Sequence, residues 1–208
     1  MQVKNLDLIS RGTEFSSVIA GTVCTNTDGK IQETEQAIDK FIEQLTNNRD
    51  EGNAVYLIGN GGSASVASHS LTDFLNVCQT RAFTLHDSAL ITCMANDFGY
   101  ENAYARIINT VMRPGDILIA ISSSGKSANI CNAAKTAVEK GGIVITLSGF
   151  HSDNPLRKLG DLNFWLDSSN YGIVEIGHQF ILHNVADRIG QNLKQLHAAS
   201  NHKIAEPL

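Results

Sequence analysis

From residue 54 onward the chain alternates short, uniformly apolar runs with longer stretches in which apolar residues recur every three or four positions. The runs are "AVYLIG", "RAFTL", "DILIAI", "IVITLSG" and "LNFWLD", each four to seven residues and closed by glycine or polar residues, as expected of strands buried on both faces. The stretches between them, "SASVASHSLTDFLNV", "SALITCMANDFG", "YARIINTVM" and "ANICNAAKTAVEKG", carry helical periodicity, and a long terminal helix is predicted from about Val174 through "EIGHQFILHNVADRIGQNLKQL". Strand and helix in alternation predict an α/β fold with a five-stranded, mainly parallel sheet covered by helices on both faces. The first fifty residues have a different texture. In "IQETEQAIDKFIEQLTNN", Ile31, Ile38, Phe41, Ile42 and Leu45 form a narrow apolar stripe on an otherwise polar helix, which packs against the domain or against a second subunit. The boundary is drawn as a helical, oligomerising extension over 1–50 and an α/β domain over 51–208.

Composition sharpens this picture. With 208 residues, 42% of them hydrophobic and 18% charged, the chain suits one domain with a sizeable core. A net charge of −5 and the lack of a basic run argue against a nucleic-acid partner, while leaving room for a small anion in a locally positive pocket. Cys24, Cys78, Cys93 and Cys131 follow no disulfide or zinc-finger spacing and read as reduced thiols. Neither a signal-peptide core nor a membrane-length apolar run occurs, so no membrane partner and a cytoplasmic location are expected.

Two strands end in anion-binding chemistry. "YLIGNGGSAS" offers glycines that let backbone N–H groups approach a ligand, with Asn60 and Ser63 as side-chain donors. "IAISSSGKSANI" places Ser122, Ser123, Ser124 and Ser127 around Gly125. Each turn precedes a helix, whose N-terminal dipole favours phosphate. Neither has the P-loop or dinucleotide spacing. After the first turn, His69 and Asp73 lie at i and i+4 and face the same way, as two ligands of one metal require; a hydrogen-bonded structural histidine is the plainer alternative. Glu175 and His178, and His183 and Asp187, have the spacing of helix-surface ion pairs. His178 reads as structural, Asp97 as a brace for the turn at Gly99 or a ligand contact, and His86, His151, His197 and His202 belong to no constellation. The end, "AASNHKIAEPL", reads as a frayed tail.

The motifs "GNGGSA…H", "ANDFGYEN", "ISSSGKSAN", "VITLSG" and "EIGHQFILH", in this order over roughly residues 30 to 195, resemble the sugar isomerase (SIS) domain family, and within it the bacterial phosphoheptose isomerases. The resemblance implies a flavodoxin-like sheet, a homotetramer with active sites at subunit interfaces, and conversion of sedoheptulose 7-phosphate to an aldose heptose 7-phosphate for surface polysaccharides. It implies phosphate binding by Ser122, Ser123, Ser124 and Ser127, and a ligand loop of Asn60, Gly61, Gly62 and Ser63. It also implies substrate contact by Asn96 and Asp97, and zinc on His69 and His183, with His183 doubling as acid/base. By position Asp73 and Glu175 join the zinc set and the catalytic set, but the family usually has glutamate where this chain has Asp73 and glutamine where it has Glu175. An expected arginine is replaced by Val77, for which Arg81 is the candidate substitute.

The paired swap suggests that Glu175 takes over part of the base role while Asp73 remains mainly a ligand. Eight helical steps separate Glu175 from His183 by ~12 Å, too far to share one ion. Either the last helix starts after Glu175, or the two serve different subunits' sites. Two further functions stay open: a non-catalytic SIS protein that binds sugar phosphate or a protein partner, and an isomerase of another ketose phosphate.

Overall fold

A computed structural model describes residues 6–204. The five predicted strands are present as β3 (Ala54–Ile58), β4 (Arg81–Thr84), β5 (Ile117–Ser122), β6 (Ile143–Ser148) and β7 (Leu162–Trp165), all parallel, in the order β7-β6-β5-β3-β4. The chain runs outward from β3 to β4, then returns to β5 on the other side of β3. That reversal leaves a crevice beyond the carboxyl ends of β3 and β5, where ligands bind in such sheets.

The sheet has two more strands than the pattern predicts. β1 (Val23–Asn26) pairs antiparallel with β7, from Val23 opposite Trp165 to Asn26 opposite Leu162, and β2 (Ile31–Gln32) pairs antiparallel with β1. Their hairpin closes on Asn26, whose side-chain oxygen accepts from the Asp28 and Lys30 N–H groups, and on Gly29 at φ +73°. So the first fifty residues are not only helical; they complete one sheet edge.

Successive residues along each strand alternate between two cores. Val55, Leu57, Ile117, Ile119 and Ile121 face α2 (Thr34–Asp50), α3 (Gly62–Asn76) and α7 (Tyr171–Ile204). Tyr56, Ile58, Leu118 and Ala120 face α5 (Ala103–Val111) and α6 (Ala128–Glu139). The apolar stripe of α2 packs inward: Phe41 and Leu45 are fully buried, and the Phe41 ring lies 5.9 Å from that of Phe164 on β7. By contrast α1 (Leu8–Ala20) and α4 (Ser88–Phe98) have no buried residue. Cys24, Cys78 and Cys131 are buried and Cys93 exposed; burial pushes the Cys78 thiol up to about 12, which keeps it protonated.

The buried Phe41–Phe164 contact ties the extension to the sheet. Phe41→Ala is expected to destabilise the protein by about 3–5 kcal/mol, measured by denaturant unfolding. A loss below 1 kcal/mol would mean that α2 is not part of the core.

Candidate active site

Two loops at the carboxyl end of the sheet form the candidate site. Gly59, just after β3, lies so close to the first turn of α3 that a Cβ there would strike the Ser63 backbone. Gly61, at φ +53°, then turns the chain into the helix. The second loop follows β5. Ser122 donates to the Ser127 hydroxyl over 3.2 Å, the Ser124 hydroxyl accepts from Lys126 N–H, and Gly125 sits at φ +62°. A Cβ on Gly125 would overlap Asn154, a fully buried side chain that donates to Ser148 Oγ and the Gly149 and His151 carbonyls.

Between the loops lies a cleft of about 260 Å³ lined by Asn60, Gly61, Gly62, Ser63, the four serines Ser122, Ser123, Ser124 and Ser127, Tyr171 and Glu175. The N-termini of α3, α6 and α7 all open on it. Among the described residues no Lys or Arg lines it and Glu175 is its one charged side chain, so the donors it offers an anion are neutral groups and helix dipoles. The Ser123 hydroxyl is buried without a hydrogen-bond partner. A buried hydroxyl in that state is an available donor for a ligand.

The second cluster lies along α3 and α7, which run in parallel. Gly62 meets Glu175, Ser70 meets Gln179, His69 meets His183, and Val77 meets Gly190. His69 Nε2 lies 3.1 Å from His183 Nε2, and Asp73 Oδ2 lies 2.9 Å from His183 Nδ1. Asp73 Oδ2 is nonetheless buried without an aligned hydrogen bond. Ligand atoms of all three residues lie within 4.8 Å of one another, the one such group among the described residues. Two facing imidazole nitrogens, each with a lone pair, need a proton or a cation between them. With an orphaned carboxylate oxygen alongside, this donor set fits a divalent metal such as zinc.

Glu175 is not in that group. Helix α7 begins at Tyr171, so Glu175 and His183 share one continuous helix and the late-start alternative is removed. The Glu175 carboxylate instead covers Gly62, where a Cβ would collide with it, and it borders both the serine cleft and the open trench containing His69, Gln179 and His183. His183 turns to Asp73 and His69, so the ion pair with Asp187 is not the contact it makes.

Other expectations meet the structure differently. Asn96 and Asp97 are exposed on α4, hydrogen-bonded to each other, and line neither cavity of this chain. Arg81 starts β4 at the opposite end of the sheet and donates to the Gly52 carbonyl over 2.6 Å, so it does not replace the arginine absent at Val77 in this chain's own site. His178 is structural, as read: it is fully buried, with Nε2 3.1 Å from the Ser148 carbonyl. Tyr171, Tyr100 and Asn129 were missed. Tyr171 follows the strand-to-helix connection after β7, and that position was the available signal.

The profile of the SIS domain family matches residues 24–149. The chain belongs to the SIS-domain family. Among similar proteins, the phosphoheptose isomerase of Shewanella frigidimarina is 31% identical over 166 residues, covering 76% of this chain and 84% of that protein. The phosphoheptose isomerase of Mycobacterium tuberculosis is 35% identical over 144 residues, covering 66% and 73%. A solved phosphoheptose isomerase from Francisella tularensis superposes with a TM-score of 0.74 at 26% identity, over 90% of this chain and all of that one. Both glycine-serine loops of this SIS domain fall within the matched segment, whereas Glu175 and His183 lie beyond it.

Burial pushes the His178 imidazole down from its ordinary 6.5 to about 4. Between these values the unfolded chain takes up a proton that the folded chain refuses. Stability is therefore intact above pH 6.5 and falls as the pH drops toward 4, by ~3 kcal/mol in all. In His178→Gln that segment of the stability–pH curve is expected to flatten; an unchanged slope would assign the loss to other groups.

Proposed function

We propose that the protein isomerises sedoheptulose 7-phosphate to D-glycero-D-manno-heptose 7-phosphate, a step toward heptose for surface polysaccharides. One observation carries the reading: a donor-rich cleft at three helix N-termini adjoins a His/Asp/His cluster, with one carboxylate, Glu175, on the wall they share. The phosphoheptose isomerases similar to this chain support the choice of reaction.

In this reading the serines and the Asn60–Ser63 loop hold the phosphate, which fixes the other end of the sugar beside α7. Isomerisation removes the proton from C1, passes through an enediol and returns a proton to C2 as the carbonyl moves from C2 to C1. Glu175 is the base for the carbon-bound proton, placed at the junction the sugar must cross. His183 moves the proton between the oxygens, with the Asp73 carboxylate 2.9 Å from its Nδ1. His69, Asp73 and His183 would hold zinc, which when bound supplies polarisation of the carbonyl oxygen. A cytoplasmic homotetramer with sites between subunits gives Asn96 and Asp97 a use: on a helix with no buried residue, they would face a neighbour's cleft.

Glu175→Gln is expected to lower kcat about a hundredfold with KM nearly unchanged, measured by NMR detection of aldose product. Near-normal turnover would remove Glu175 from the base role. Chelation is expected to abolish product formation and zinc to restore it, while elemental analysis finds one zinc per chain in the parent and none in His69→Ala. Full turnover in chelator would dismiss the metal. Binding without product would make the protein a sugar-phosphate-binding adaptor.

A further inference from the structure

The Asn60 side chain, on the wall of the phosphate cleft, is held by three hydrogen bonds that leave it one free group. Its Nδ2 donates to Asn129 Oδ1, and its Oδ1 accepts from Asn129 Nδ2, both at 2.9 Å, so that the two amides form a closed ring. Tyr100 adds a donation from its hydroxyl to Asn60 Oδ1 at 2.8 Å.

The direction of this ring is imposed by the backbone. Ile130 N–H, in the first turn of α6, is shared between Asn129 Oδ1 at 3.0 Å and the Ser127 carbonyl at 3.1 Å. An N–H can only donate, so the Asn129 atom it meets is the oxygen and the other is the nitrogen. Asn129 is 3% exposed and has no room to turn freely. The nitrogen then requires an oxygen on Asn60, and both acceptor sites of that oxygen are filled by Asn129 and Tyr100. What remains is the second hydrogen of Asn60 Nδ2.

The geometry points to Asn129 and Tyr100 as positioning residues that lock the Asn60 amide so that it offers an N–H, never a carbonyl, to the phosphate. An amide free to rotate would spend part of its time presenting an oxygen to an anion. The lock also joins the two halves of the cleft, since Asn60 follows β3 and Asn129 opens α6 after the serine turn. The inference rests on the sugar-phosphate reading of the cleft.

A double-mutant cycle tests it, read as the dissociation constants of inorganic phosphate and of sedoheptulose 7-phosphate by calorimetry. Asn129→Asp is nearly isosteric but turns the facing donor into an acceptor, so Asn60 Oδ1 meets a carboxylate oxygen, the amide ring cannot close in either orientation and Asn60 is no longer held. It is expected to weaken both ligands about tenfold in the parent and less than twofold in an Asn60→Ala background, because the effect travels through Asn60. Tyr100→Phe should give a smaller loss that Asn60→Ala also erases. This half-exposed site tolerates the change, so it reads the cycle even where Asn129→Asp does not fold. Equal losses in both backgrounds would assign the effect to the new charge and overturn the lock, as would no loss in the parent or no phosphate binding by it. A parent that binds both ligands but makes no aldose would overturn the isomerase reading and leave the lock standing.

Discussion

The parallel packing of α3 on α7 is the constraint on which the site depends. Its register is set at one end by Gly62, whose missing side chain admits the Glu175 carboxylate, and at the other by Gly190, which admits Val77. Buried apolar contacts between these helices and the sheet, through Val66, Ala67, Phe74, Ile181, Leu182 and Val185, prevent sliding. With the register fixed, His69 and Asp73 face His183 at 3.1 and 2.9 Å without any further device. A slip of one residue on either helix would turn a ligand by about 100° and disperse the group.

The two halves of the site obey different physics. The cleft between the loops is built from small residues, helix ends and hydroxyls, and its donors are neutral groups and helix N-termini rather than formal positive charges. The trench beside it carries ionisable groups, His69, Asp73 and His183, whose donor atoms lie within 4.8 Å of one another. Glu175 belongs to both, because its carboxylate borders the serine cleft on one side and the histidine trench on the other.

Much of this was legible in the sequence, because buried parallel strands and glycine-serine turns leave strong local signals. All five parallel strands stand where the apolar runs placed them. β1 and β2 were not legible. "VCTN" and "IQ" are too short for a period, and what makes them strands is the edge of β7, far away in the chain. The histidine cluster was legible by spacing on α3 and by resemblance on α7, but its closure depends on a helix register that no local pattern encodes. Asn129 and Tyr100 escaped notice because each looks ordinary alone; their role exists only across the gap between two loops. Arg81 misled for the opposite reason, being near the site in sequence and at the far end of the sheet in space.

The pairing of β1 with β7 also bears on how the molecule is made. Val23 leaves the ribosome early, yet its partner Trp165 lies nearly at the start of the final helix. The amino-terminal hairpin must therefore wait, unpaired, through synthesis of almost the whole sheet, and contacts so distant along the chain form slowly. The last edge to close during translation is thus the first to have been synthesised, and a nascent chain stalled before β7 would present that hairpin to any chaperone in reach.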